Sequence, residues 1–155
     1  MATPIVVADP DTAAVELGIK FKSDIAGYIT GIRFYKGSSN TGKHIGNLWT
    51  STGQLLATAT FSNETASGWQ QVNFDRPVPI AANTVYVASY HTSVGNYAFA
   101  ANYFANSGFD SGSLHALRDG ANGGNGVYKY GSSGFPNQTY KSSNYWVDVV
   151  FTPNN

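Results

Sequence analysis

Residues Ala14–Lys22 read Ala-Val-Glu-Leu-Gly-Ile-Lys-Phe-Lys, and this stretch decides the fold class. Val15, Leu17, Ile19 and Phe21 alternate with Glu16, Gly18, Lys20 and Lys22. Side chains along a strand point to its two faces in turn, so a period of two marks a strand with one buried face. If the apolar set faces a core, Glu16, Gly18 and Lys20 face outward. Working outward, Gly27–Lys36 puts Tyr28, Thr30, Ile32 and Phe34 on one face and Ile29, Gly31, Arg33 and Tyr35 on the other. Leu55–Ser62 is rich in Thr and apolar residues, Trp69–Phe74 alternates, and Val85–His91 and Tyr145–Thr152 are the strongest β runs. No window of helical length carries apolar residues at three-and-four spacing, and His115–Arg118 reads as a single turn.

Turn signals punctuate these runs at Ser23–Gly27, Gly37–Asn40, Ser51–Gly53, Ala66–Gly68 and Ala81–Asn83. Many short strands with frequent turns predict an all-β fold: a jelly-roll-like β-sandwich of antiparallel sheets, with roughly eight to ten strands. Residues 1–10 read as a linker or entry strand, and residues 11–153 as one β-sandwich module. Residues 105–144 are glycine- and serine-rich and read as long loops over one edge or end, where binding residues concentrate on β scaffolds.

The composition favours binding over catalysis. The chain holds ten Tyr, nine Phe and three Trp, and 14% of it is aromatic against 12% charged. Soluble domains are typically about 25% charged. So many rings exceed what one small core hides, and displayed Tyr and Trp offer a flat apolar face with a polar tip that suits sugars and interfaces. The net charge is zero, and no Lys/Arg block stands ready to neutralise several phosphates, which argues against nucleic acid as a partner. There is no Cys, so neither disulfide nor thiolate chemistry is available. No segment approaches the ~20 apolar residues of a membrane span. The apolar run after Met1 is short and lacks a basic flank, which points to a protein that is not exported or to a domain of a longer exported chain.

Three stretches carry a family resemblance: Val15–Phe21 with Gly27–Lys36, Leu48–Phe61 running into Gly68-Trp-Gln70, and Val85–His91. Asn125–Tyr128 and Asn144–Phe151 extend it, so that it spans about residue 12 to residue 152. Together they resemble the domain-of-unknown-function family numbered 4082. The resemblance implies a β-sandwich module of exported bacterial proteins, extracellular or at the cell surface. It would lie beside other domains of a longer chain, often polysaccharide-active or adhesive ones, and it brings no catalytic motif.

The candidate site residues follow from the alternation. In the last strand Val147, Val149 and Phe151 would be core, leaving Trp146 and Asp148 opposite. First and last strands of jelly rolls often pair, so Glu16, Arg33, His91, Trp146 and Asp148 would line one polar-aromatic patch, with Trp146 stacking on a sugar and the ionic groups taking hydroxyls. The competing account is a Glu16–Arg33 cross-strand ion pair with Trp146 covering an edge. Among the aromatics, Tyr97 and Tyr103 flank a turn and an Asn-rich segment and are candidates for display; Tyr86 and Phe99 read as core. Trp49 sits at a strand–turn junction and suits either display at the rim or capping of the sandwich end, whereas Trp69 reads as a cap.

The expected ligand site is therefore Trp49, Tyr97, Tyr103, Trp146, Arg33, His91 and Asp148, and the expected partner a polysaccharide or glycan. No cofactor is required. A structural calcium is a candidate at Glu16 and Asp148, joined by Asp9 and Asp11 if the termini meet, with Asp110 and Asp119 as a second place. No calcium loop of alternating acids is present, and His44, His91 and His115 are too scattered for zinc. The alternative to a non-catalytic carbohydrate-binding module is a structural or adhesive spacer. An enzyme is the less favoured class: Ser89, His91 and Asp148 have triad residue types, but no nucleophile elbow or paired carboxylates accompany them.

Overall fold

The computed structural model describes residues 2–154. Eleven strands form: β1 (Val15–Ser23), β2 (Gly27–Lys36), β3 (His44–Thr50), β4 (Leu55–Thr60), β5 (Gly68–Ile80), β6 (Tyr86–Thr92), β7 (Phe109–Ser111), β8 (Leu114–Ala116), β9 (Val127–Tyr130), β10 (Gln138–Thr139) and β11 (Val147–Pro153). No helix forms among the described residues, so none is long and apolar enough to cross a membrane. Every strand pairing among the described residues is antiparallel.

The larger sheet runs β10-β9-β1-β6-β3-β4, with β8 beside the far end of β1 and β7 beside β8. The smaller sheet runs β11-β2-β5. β5 lies over β4, β2 over β3 and β6, and β11 over β6 and β1. The chain is thus the expected all-β sandwich. One expectation about its wiring is corrected: the last strand pairs with β2 in the smaller sheet, not with β1. Between the sheets lie Val15, Leu17 and Phe21 of β1, Leu48, Tyr90, and Ile29, Ile32, Phe34, Val147 and Val149 of the smaller sheet. Phe34 stacks on Tyr90 at 4.2 Å between ring centroids and meets Phe61 edge-on at 4.9 Å, tying one sheet to the other through aromatic faces.

Alternation locates most core positions, and it fails where the backbone does not keep period two. The β2–β5 register shifts between Ile29 and Gly31. The irregularity moves Ile29 into the core at 0% exposure and turns Tyr28 outward at 37%, the reverse of the simple alternation. β3 escapes the period-two test for another reason. It is buried on both faces, with Leu48 against the inner core and Asn47 and Trp49 on the outer side, and a strand covered twice loses its alternation.

The outer cover comes from the segment 131–137, which folds across β1, β6 and β3. Phe135 meets Trp49 edge-on at 5.6 Å, and Trp49 packs with Val87 and Val127 as a second, small core. Gly18 allows this close approach: a Cβ there would stand 2.7 Å from the Ala88 carbonyl oxygen and 3.3 Å from Pro136. Beneath the cover Glu16 has no solvent exposure. Its Oε2 accepts from Asn47 Nδ2 at 2.8 Å and Ser89 Oγ at 2.6 Å, and its Oε1 from Ser133 Oγ at 2.9 Å. Glu16 does point away from the inner core, as the alternation requires, but the face it points to is not solvent.

Burial raises the Glu16 carboxyl above its ordinary value near 4.5, against the opposing pull of the hydrogen bonds from Ser89, Asn47 and Ser133. A raised folded-state pKa means that its contribution is fully present below about 4.5 and is lost as pH rises through the folded value. Glu16→Ala should cost about 3 kcal/mol, since it strands buried donors on Asn47 and Ser89. Glu16→Gln should cost less and should flatten the pH dependence of stability in that acid window. Urea unfolding of the three proteins across acid pH measures both; equal loss in the two variants would show that the carboxylate's bonds do not hold the cover.

Candidate functional site

The smaller sheet is narrower than the sheet it covers, and beyond its β11 edge a cleft of about 360 Å³ opens. Its floor is the inner face of β1 at Ile19 and Phe21, and its far wall is the β7–β8 hairpin with Phe109, Leu114 and His115. Its near wall is β11 with Trp146 and Asp148, flanked by Arg33, Trp69 and Tyr103. The volume falls within the range of small-ligand sites, roughly 300–1,000 Å³.

The aromatic wall is a chain of edge-on contacts. Trp146 lies 6.4 Å from Trp69 and 6.0 Å from Tyr103, and Tyr103 lies 5.1 Å from Phe104. Trp146 is held in the left-handed backbone region at φ 59°, which is costly for a bulky residue, on the order of 1–3 kcal/mol. Two bonds enforce it: the Trp146 N–H donates to Asn144 Oδ1 at 2.7 Å, and its carbonyl accepts from the Tyr35 N–H at 3.0 Å. Its indole N–H is buried without a hydrogen-bond partner, alone in this among the buried side-chain polar atoms of the described residues.

Polar groups flank the rings. Arg33 of β2 and Asp148 of β11 are directly opposite in register on the outer face of the smaller sheet. Burial pushes the Asp148 carboxyl up from its ordinary value, with the Val149 N–H and the Arg33 charge acting in the other direction. On the far wall, His115 Nδ1 meets Asp110 Oδ1 at 2.6 Å and its Nε2 meets Asp24 Oδ2 at 2.8 Å. Carboxylates on both ring nitrogens favour the imidazolium and raise the His115 pKa, the Asp110 bond most and the Asp24 bond next. The clamp ties the hairpin to the β1–β2 turn, and so braces the far wall.

Of the residues expected to form a site, Tyr103, Trp146, Arg33 and Asp148 meet in this cleft, but Trp146 is only 8% exposed, so it backs the wall behind Trp69 and Tyr103 and the stacking expected of it is corrected. Trp49, Tyr97 and His91 do not. Trp49 is 8% exposed, and its indole N–H donates to Ser89 Oγ at 2.8 Å in the outer core, which corrects its display. Tyr97 is 9% exposed, packed edge-on against Tyr145 at 5.6 Å, because the inner face of the large sheet near β9 has to be covered. Its hydroxyl donates to Asp11 Oδ2 at 3.4 Å, so the display expected of it is corrected as well. His91 lies on the larger sheet, where its Nε2 donates to the Gly131 carbonyl at 2.8 Å. Glu16 and His91 are therefore separated from Arg33, Trp146 and Asp148 by the sandwich, and the single patch expected of all five divides in two.

The same division parts Glu16 from Asp148, so the two do not share a calcium site. No group of three or more His, Asp or Glu side chains placed to hold a metal assembles among the described residues. It also parts the triad types: Ser89 is fully buried and donates to Glu16, while Asp148 is on the other sheet. Trp69, a cap by its sequence position, lies on the cleft wall, where its Nε1 donates to the Ala2 carbonyl at 3.2 Å. Phe109, His115, Asp24 and Asp110 carry no sequence signal that joins them into one site. Phe109, Asp110 and His115 lie on strands of three residues that show no alternation, Asp24 lies in the β1–β2 turn, and the pairing of β8 with β1 is a long-range event.

The chain belongs to the family described as Domain of unknown function (DUF4082), whose model matches residues 1–147. No curated protein matches it.

The clamp makes a measurable claim. An NMR titration of His115 should give a pKa above 6.5, and Asp110→Asn should lower it more than Asp24→Asn. With the folded value raised, the clamp's stabilisation is fully present below about 6.5 and fades as pH rises through the folded value. A wild-type value at or below 6.5 would mean that the hairpin is not held by charge.

Proposed function

We propose that the chain is a non-catalytic carbohydrate-binding module of an exported bacterial protein, and that the cleft at the β11 edge is where the sugar sits. The observation that carries this reading is the convergence of Trp146, Trp69 and Tyr103 with Arg33 and Asp148 on one cleft. A pyranose ring has an apolar C–H face and an equatorial belt of hydroxyls. It matches a wall of rings with a few convergent polar groups at the margin. The export and the domain neighbours that the resemblance implies are in keeping with this reading. The His91–Asp148 pair that an enzyme reading would call on is not assembled, which removes its particular support. Affinity per module would be modest and raised by repetition or tethering within a longer chain.

One observation favours the spacer reading as a second account. Ile5 is 99% exposed and Val7 42% exposed, beside a single bridge from Val6 to Phe99, an apolar segment of the kind that packs against a neighbouring domain.

A glycan array followed by titration of the best hit tests the proposal. Tyr103→Ala and Trp69→Ala should each weaken binding about ten-fold, equivalent to ~1.4 kcal/mol of lost ring contact, with little change in melting temperature because both rings are only half-buried. Trp49→Phe should lower stability and leave affinity unchanged. Absence of binding to every glycan by the folded protein would remove the carbohydrate reading and leave the spacer.

A further inference from the structure

Arg33 and Asp148 are cross-strand neighbours of opposite charge on one face. Such pairs ordinarily close on each other. These do not: no ion pair joins them among the described residues. Two local bonds hold them apart. On one side Gln71 of β5 accepts Arg33 Nε through Oε1 at 2.8 Å and is itself braced by donating to Asn73 Oδ1 at 2.9 Å. On the other, Asp148 Oδ1 accepts the N–H of Val149 at 2.8 Å. The terminal guanidinium nitrogens of Arg33 and the second carboxylate oxygen of Asp148 have no partner among the described residues, and both residues line the cleft. Trp146, on the same wall, carries the unpartnered indole N–H.

The cleft therefore presents uncommitted donors on Arg33, an uncommitted acceptor on Asp148 and the half-buried rings of Trp69 and Tyr103 beside them. Two adjacent hydroxyls each donate and accept, and they satisfy such a separated pair from both sides. A uronic acid or sulfated sugar would bring a second anion against Asp148, and an amino sugar a second cation against Arg33; like charges so juxtaposed are rejected. The His115 clamp does not favour an anion either: one imidazolium between Asp110 and Asp24 leaves the far wall with a net negative charge, carried by two largely exposed carboxylates that solvent screens.

We infer that Arg33 and Asp148 form an open charge pair that closes on the vicinal hydroxyls of an uncharged pyranose, and that Gln71 is the positioning residue that keeps the pair open. The inference rests on the carbohydrate-binding reading and adds the substrate class to it.

Affinity electrophoresis of the full chain tests it, in gels containing a mixed-linkage glucan, a galactomannan, an arabinoxylan, polygalacturonate or chitosan, each at low and high salt. At least one neutral polysaccharide should retard the protein with little dependence on salt, and neither polygalacturonate nor chitosan should. Gln71→Ala frees Arg33 to close on Asp148. It should weaken neutral binding up to about five-fold, the most that an exposed ion pair is worth, without lowering the melting temperature. Asp148→Asn keeps an acceptor but removes the anion, so it should retain neutral binding and gain retardation by polygalacturonate, a change that a purely structural role would not produce. Retardation of the wild type by a charged polysaccharide alone, steeply lost in salt, would overturn the inference and keep the carbohydrate reading. Neutral binding indifferent to Gln71→Ala, with selectivity indifferent to Asp148→Asn, would overturn the open pair. No retardation in any gel would remove the carbohydrate reading and this inference with it.

Discussion

A three-stranded sheet cannot cover a sheet twice its width. With strands about 4.8 Å apart, the path β10-β9-β1-β6-β3-β4 is roughly 24 Å across and β11-β2-β5 about half of that. β5, β2 and β11 cover β4 through β1 and stop. What lies beyond has to be closed by irregular chain or left open. Near β9 it is closed: Tyr97 and Tyr145 pack edge-on over that end. Near β8 it is not, and the cleft is the remainder. The site is a consequence of unequal sheets rather than a feature set into a finished sandwich, and this is why its walls come from elements as unlike as β11, the 103–104 turn and the β7–β8 hairpin.

The other face of the larger sheet obeys a related constraint. Once β3 and β6 present Trp49, Val87 and Asn47 outward, that surface needs its own cover, and the segment 131–137 supplies it. The cost is a buried carboxylate at Glu16, which only its three hydrogen bonds make tolerable. The aromatic excess of the chain is thereby largely accounted for by structure: rings fill an inner core, an outer core and the end near β9, and the set lining the cleft is small.

Much of this is legible in the sequence, and the failures have physical causes. Period two in Val15–Phe21 locates β1 and its inner face, because a strand buried on one side has to alternate. The same rule turns Arg33 and Asp148 away from the inner core. It misplaces Ile29, because an irregularity shifts phase without a strong sequence mark. It gives β3 no signal, because a doubly buried strand has no polar side. Face assignment also says nothing about which of two sheets a strand joins, and that one unknown puts Glu16 and His91 into a patch with Trp146 and Asp148. Trp69 and the His115 clamp depend on contacts across 67 and 91 residues of chain, beyond any local pattern.

The edge of β11 brings folding and recognition together. An open edge exposes alternate backbone N–H and C=O groups and invites pairing with another chain. Tyr35 bonds the Trp146 carbonyl, so by the alternation of an antiparallel ladder the N–H groups of Val147 and Val149 point away from β2. Asp148 occupies the Val149 donor with its own side chain and places a charge on that edge. Further along, the left-handed turn at Trp146 ends the extended run, so the edge offers only a short template. Both devices that blunt the edge also furnish the cleft: the carboxylate keeps a second oxygen unpaired, and the strained turn sets the indole on the wall. The residue that keeps β11 from pairing thereby also leaves a free acceptor oxygen at the cleft, which is what the proposed sugar site needs.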